Sequence, residues 1–150
     1  MVDELARHLS TSSTSGGSTK FVIGANTFAN FHPHSTRATL AITETPGGPP
    51  NYHFGSSDLP SWENPHLQVS ARTTAPASGA TVPNPSNAKL LLRRAVTRLS
   101  KVTNMTVQGS SYLRVDPISS LFLARIEDDG RQVYACNFEV SRRPSTSGLS

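Results

Sequence analysis

Residues that carry chemistry are scarce in this chain. Its 150 residues include one cysteine, one tryptophan and two methionines. A lone thiol, Cys136, excludes an internal disulfide. Its place inside an alternating apolar stretch reads as a small buried hydrophobe and not as a nucleophile. Only 16% of residues are charged and 7% are aromatic. No apolar run is long enough to cross a bilayer, so no membrane partner is expected. The first residues include Asp3 and Glu4 and no basic leader, so no signal peptide is expected either. The histidines are His8, His32, His34, His53 and His66, and only His32-Pro33-His34 forms a close pair. Helical His-x-x-x-His spacing is absent, so no metal is assigned. No Gly-x-Ser-x-Gly elbow occurs. Gly16-Gly17-Ser18-Thr19-Lys20 has the wrong order for a phosphate loop, and no helical pattern follows it. No catalytic residue and no cofactor are assigned, and an enzyme is not expected.

What is abundant is serine, threonine, proline and glycine. With a hydrophobic share of 35%, this composition predicts one domain with a modest core and long surface loops. The formal charge of +4 is unevenly spread. Residues 1–70 hold three bases against five acids, a net −2, and residues 71–150 hold eleven bases against five acids, a net +6. Such a split is compatible with nucleic-acid binding or with electrostatic complementarity between copies in a ring or stack. The small total favours the second, or plain solvation.

Periodicity places the elements. Val2, Leu5, Ala6 and Leu9 have helical spacing, which predicts a short helix over 2–9. Residues 10–19 are Ser, Thr and Gly only and read as a flexible linker. A short strand is expected over 21–25. Another is expected over 38–44, with Ala38, Leu40 and Ile42 on one face and a stop at Pro46-Gly47-Gly48-Pro49-Pro50. After a long loop to about residue 65, Leu67, Val69 and Ala71 alternate with polar residues as in a half-buried strand. Residues 73–83 read as a loop.

The clearest helix is predicted over 85–100, with Asn84 as N-cap and Pro85 in the first position. Leu91, Leu92, Ala95, Val96 and Leu99 fall on one side. Lys89, Arg93, Arg94, Thr97, Arg98, Ser100 and Lys101 fall on the other, with Leu90 intruding among them. Strands over 105–107 and 112–115 flank a turn at Gly109-Ser110. Two further β-rich runs flank Asp129-Gly130, the dipeptide that most readily supplies the positive φ of a tight hairpin. With a two-residue loop, Ile126 would face Val133, and Leu123 would share the other face with Cys136. A bulged three-residue loop would shift that parity. Both faces are then partly apolar, which predicts a sheet covered by a helix on one face and by another copy on the other. Residues 142–150 read as a polar tail, leaving one domain over 1–143 with 144–150 beyond it. The expected fold is α+β: a small, mostly antiparallel sheet flanked by one main helix and a short N-terminal helix, with long loops.

Two clusters stand out. Glu127-Asp128-Asp129 at the hairpin tip reads as a solvated turn, with Asp129 and Gly130 as its structural residues. Leu90, Arg93, Arg94, Arg98 and Lys101 read as a candidate interface, because an apolar group ringed by arginines has the anatomy of an interface anchor. Base-stacking aromatics are absent from that face, which weighs against nucleic acid.

The order of elements and several phrases resemble the phage tail terminator family, also described as minor capsid proteins of long-tailed bacteriophages. Ala41-Ile42-Thr43-Glu44-Thr45-Pro46-Gly47-Gly48 resembles the family's early strand and Pro-Gly loop. Glu63-Asn64-Pro65-His66-Leu67-Gln68-Val69-Ser70-Ala71-Arg72 resembles the Pro-x-x-Gln-Val strand that follows. After the helix come Thr106-Val107-Gln108-Gly109 and a closing hairpin with Gly130-Arg131, Tyr134 and Asn137-Phe138-Glu139-Val140. The resemblance covers residues 38–140. It implies a ring of identical subunits, a homohexamer, in the virion after assembly in the host cytoplasm. The ring would cap the major tail tube protein, stop its polymerisation and offer a surface to a head-side neck or connector protein. Genomic DNA would pass through its lumen without being read, and no cofactor is implied. The alternatives are a head-completion or connector adaptor of the same particle and a small basic nucleic-acid-binding protein.

Overall fold

Helix α1 spans Val2–Thr11 because Val2, Leu5, Ala6 and Leu9 recur on one face, and all four are buried. Asp3 and Glu4 sit in its first turn, where the helix dipole favours negative charge. Helix α2 spans Ser86–Leu99 and buries Ala88, Leu91, Leu92, Ala95 and Leu99. In this computed structural model the described residues are 1–11, 21–34, 37–51, 62–75 and 86–143. The expected cap at Asn84 and Pro85, most of the 10–19 linker and the 144–150 tail lie outside them.

The strands are β1 (Thr27–Ala29), β2 (Thr39–Asn51), β3 (Trp62–Arg72), β4 (Thr103–Val107), β5 (Ser110–Pro117), β6 (Phe122–Ile126) and β7 (Gln132–Arg143). They form one sheet in the order β1-β2-β3-β7-β5-β4, with β6 also on β7. Only β1 and β2 pair in parallel; the other described pairs are antiparallel. The fold is therefore α+β with a mixed sheet.

Strand β7 organises the sheet. One of its edges runs along β3, from Arg72↔Val133 to Glu63↔Arg142. Its other edge is shared: β5 takes residues 138–143 and β6 takes residues 132–135. At the junction the Ile118 N–H donates to the Asn137 carbonyl at 2.8 Å. The Asn137 N–H donates to Ser119 Oγ at 2.9 Å. β5 and β6 thus act as one kinked partner of β7.

Both helices pack on the face formed by Leu40 and Ile42 of β2, Leu67, Val69 and Ala71 of β3, and Cys136, Phe138 and Val140 of β7. Leu5, Leu9, Leu40, Leu67, Leu92 and Leu99 are fully enclosed there. Each contributes about 2 kcal/mol relative to exposure. The second face is also closed near the end of β3. Ala41, Ser70, Arg72, Val133 and Ala135 are all buried, so β3 is covered on both faces there and is not half-exposed.

Several expectations need correction. Residues 21–25 form a turn and not a strand: the Val22 carbonyl accepts from the N–H groups of Ala25, Asn26 and Thr27, and Asn26 Oδ1 accepts from the Val22 N–H at 2.7 Å. β2 does not stop at Pro46 but continues to Asn51 through register shifts around Gly48. Glycine permits this, because a Cβ on Gly47 would lie 2.4 Å from the Asn64 carbonyl oxygen. The β4–β5 turn is Gln108-Gly109, one residue early, with φ of 49° and 87°, so Ser110 already pairs with Val107. Ser10 and Thr11 complete α1, and Arg142 and Arg143 complete β7 instead of opening a tail.

Candidate assembly surfaces

The basic face of α2 gathers four of the five residues expected at an interface. Arg93, Arg94, Thr97, Arg98 and Lys101 line a shallow recess of about 260 Å³. Leu90 is 45% exposed and lies one turn before them on the same side of the helix. The residues are not equivalent. Arg98 Nη1 donates to the Leu9 carbonyl at 3.5 Å, and its guanidinium lies 4.8 Å from the Phe21 ring centroid. Arg98 therefore helps to hold α1 and the segment before β1, whereas Arg93 and Lys101 are exposed. The recess is suited to carboxylate or phosphate groups, since it presents several cations on one turn spacing.

The hairpin tip is not a simply solvated turn. Its loop has three residues, Asp128-Asp129-Gly130, closed by the Glu127 N–H donating to the Arg131 carbonyl at 2.8 Å. The Gly130 N–H donates to the Glu127 carbonyl at 2.8 Å, and Gly130 takes φ 82°. The three-residue loop moves Ile126 from Val133 to Gln132, and a second register shift between Leu123 and Arg125 brings Leu123 opposite Tyr134, on the Cys136 side of β7. The Asp129 carboxylate accepts from the Arg131 N–H at 3.1 Å and from Arg131 Nε at 2.6 Å. The backbone bond from Arg131 is the main cause that holds the Asp129 carboxyl below its ordinary range. Glu127 lies 3.5 Å from Arg72, 3.4 Å from Arg125 and 3.8 Å from Arg131. Buried Arg72 also donates from Nη2 to the Pro33 carbonyl, tying the loop before β2 to the tip. His34 joins these groups around a recess of about 460 Å³.

His32 sits beside this cluster. Its ring nitrogens lie 2.8 Å from Thr39 Oγ1 and 2.9 Å from Ser70 Oγ. Burial first, then the charges of Arg72, Arg125 and Arg131, lower its pKa to about 4. The ring is therefore neutral at pH 7 and acts as a hydrogen-bonding bridge between β2 and β3. Among the described residues no group of three or more His, Cys, Asp or Glu is placed to hold a metal ion.

Sequence reasoning missed the most unusual surface. All five residues of β6 are exposed, although three are large hydrophobics. Phe122 is 37%, Leu123 46% and Ile126 61% exposed. The run Phe-Leu-Ala-Arg-Ile reads as core material, and its exposure follows from the split edge of β7, which sequence does not display. A weak signal was present: the apolar residues of β6 do not alternate cleanly, as a one-sided strand requires.

No protein-family model matches this sequence, and no curated protein matches it either. No helix among the described residues is long and apolar enough to cross a membrane.

Proposed function

We propose that this protein is a structural subunit of a phage virion, a tail terminator that assembles into a ring of six, caps the tail tube and joins it to the head-side neck. One observation carries this reading. β6 is an apolar strand exposed along its whole length, and such a strand is an aggregation hazard unless assembly covers it. The quoted phrases support the same reading from the sequence side. They fall on β2, β3, the β4–β5 hairpin and the β6–β7 hairpin, so the resemblance follows the sheet and not isolated loops. Function in such a ring is geometric. One face matches the last ring of the tube, the other does not match a tube subunit, and growth stops. DNA passes through the lumen without sequence contact.

The test is negative-stain imaging of the purified full chain. A ring with a central hole is the expected result, and a monomer at all concentrations overturns the reading. The basic recess of α2 favours a second reading, a small nucleic-acid-binding protein. That reading requires retention on DNA that weakens steeply with salt. A head-completion adaptor remains the alternative within the particle and would form its ring on the connector instead of on the tube.

A further inference from the structure

Asp and Glu are absent from the chain between Glu63 and Asp116, and α2 lies within that stretch. Arg72, Arg114, Arg125, Arg131 and Arg142 each lie within ion-pair distance of a carboxylate. Among the described residues, Arg93, Arg98 and Lys101 have no such carboxylate beside them. The dipole of α2 favours a cation in its last turn, at Arg98, but does not reach back to Arg93 and Arg94. Arg94 and Arg98 stand four residues apart, and Arg98 and Lys101 three, spacings at which like charges repel. Salt only screens that repulsion, whereas an anionic partner removes it.

The cations form a stripe with Leu90, which spans about 16 Å of helix axis from Leu90 to Lys101. Both ends of the stripe are apolar. Leu90 is 45% exposed at one end. At the other, the Arg98 guanidinium lies 4.8 Å from the Phe21 ring centroid, and the next residues, Val22 and Ile23, are 46% and 49% exposed. These apolar groups decide between two kinds of anionic partner. A nucleic-acid backbone would leave them against water or phosphate oxygens, and the stripe offers no aromatic ring for a base. A protein segment with carboxylates around an apolar side chain meets both the cations and the apolar groups. Arginine forks receive carboxylates through two parallel N–H···O bonds. The Arg98 fork is already held by the Leu9 carbonyl at 3.5 Å and by Phe21, so it loses little freedom on binding.

We propose that this stripe of α2 is a docking site for an acidic segment of another protein, one that sets carboxylates around an apolar side chain seated on Leu90. The inference rests on the joining role proposed above and adds the chemistry that the tube or neck partner must present. The acid runs of this chain are committed elsewhere: Glu4 to Tyr112 and Arg142, Glu127 to Arg72 and Asp129 to Arg131.

The probe is a fluorescein-labelled peptide of about eleven residues, the helical length of the stripe, with glutamates on either side of a central leucine. Fluorescence anisotropy follows its binding to the full chain. Wild type should bind it, and more weakly once the probe's leucine is replaced by serine. Arg93→Glu and Leu90→Asp should each weaken binding about tenfold. Leu90→Asp should also lose the distinction between the leucine and serine probes. Arg114→Glu makes the same charge change on an exposed residue of β5 and should bind as wild type does. Circular dichroism checks that each variant is folded. A wild type that ignores the peptide, or an equal loss in Arg114→Glu, overturns the site. Random-sequence duplex DNA is the competing probe. If it displaces the peptide, and its own binding falls with Arg93→Glu but not with Leu90→Asp, the stripe is a phosphate surface and the proposal falls. Rings without peptide binding overturn the site alone. Peptide binding by a chain that never forms rings keeps the site and overturns the ring reading.

Discussion

The carboxylate of Glu4, in the first turn of α1, accepts the Tyr112 hydroxyl of β5 at 2.5 Å. Ser110 Oγ donates to the same carboxylate at 2.8 Å and Arg142 Nη1 at 3.2 Å, so one acid joins the first helix to β5 and β7. Burial would raise its pKa, but the hydrogen bonds from Tyr112 and Ser110 and the charges of the N-terminus and Arg142 outweigh it. The folded pKa is therefore lowered. Stability from Glu4 is fully present above the unfolded carboxylate range and is lost as pH falls through the folded value. Glu4→Ala should cost about 1–3 kcal/mol in urea unfolding at pH 7, because it leaves the buried Tyr112 hydroxyl without its acceptor. A loss below the error of the measurement would mean that this junction does not hold α1.

His32 predicts a second pH dependence. Its folded pKa is about 4 against an ordinary 6.5, so the unfolded chain takes up the proton first. Stability is complete above about pH 6.5 and falls between that value and about 4. The expected loss from pH 7 to pH 5 is about 2 kcal/mol. His32→Gln keeps polar contacts toward Thr39 and Ser70 without a titrating group. It should flatten this part of the stability–pH curve, and an unchanged slope would assign the loss to other groups.

The elements that sequence placed well are those with a regular period of apolar residues on the face the helices cover. α1 and α2 each bury one stripe against the sheet, and β3 and β7 show period-two burial of Leu67, Val69 and Ala71 and of Cys136, Phe138 and Val140. What stayed hidden depends on partners distant in the chain. Continuation of β2 through Gly47 needs the backbone of Asn64 alongside. Arg72 looks like the polar member of an alternating strand, yet Glu127 and Pro33 hold it inside. Of the interface residues read from the sequence, the arginines of α2 do cluster. The exposure of β6 became visible only when β7 was seen to share one edge between β5 and β6.

Gly130 tests the hairpin loop. A Cβ there meets nothing within 4 Å, so any penalty comes from φ 82° and not from crowding. Gly130→Val should lower stability by about 1–3 kcal/mol. Gly130→Asn, a residue that tolerates this region, should recover most of that loss. Equal melting temperatures for Val, Asn and wild type would exclude a strained loop position.

The face of α2 separates structural from assembly roles within a few residues. Arg98 holds the Leu9 carbonyl and lies over Phe21, so Arg98→Ala should destabilise the free chain by about 0.5–1 kcal/mol. Leu90 and Arg93 are exposed and are not among the core residues. Leu90→Asp and Arg93→Glu should therefore change stability by less than about 0.5 kcal/mol. Under the tail-terminator proposal they should instead weaken joining to the tube or neck, Leu90→Asp by about 1–3 kcal/mol if it is a buried anchor. Arg93→Glu should chiefly alter association rate and its salt dependence. Urea unfolding measures the first effect, and rescue of a terminator-deficient phage measures the second. Normal rescue by both variants would leave this face simply solvated. Normal rescue together with lost DNA retention would transfer the recess to the nucleic-acid reading.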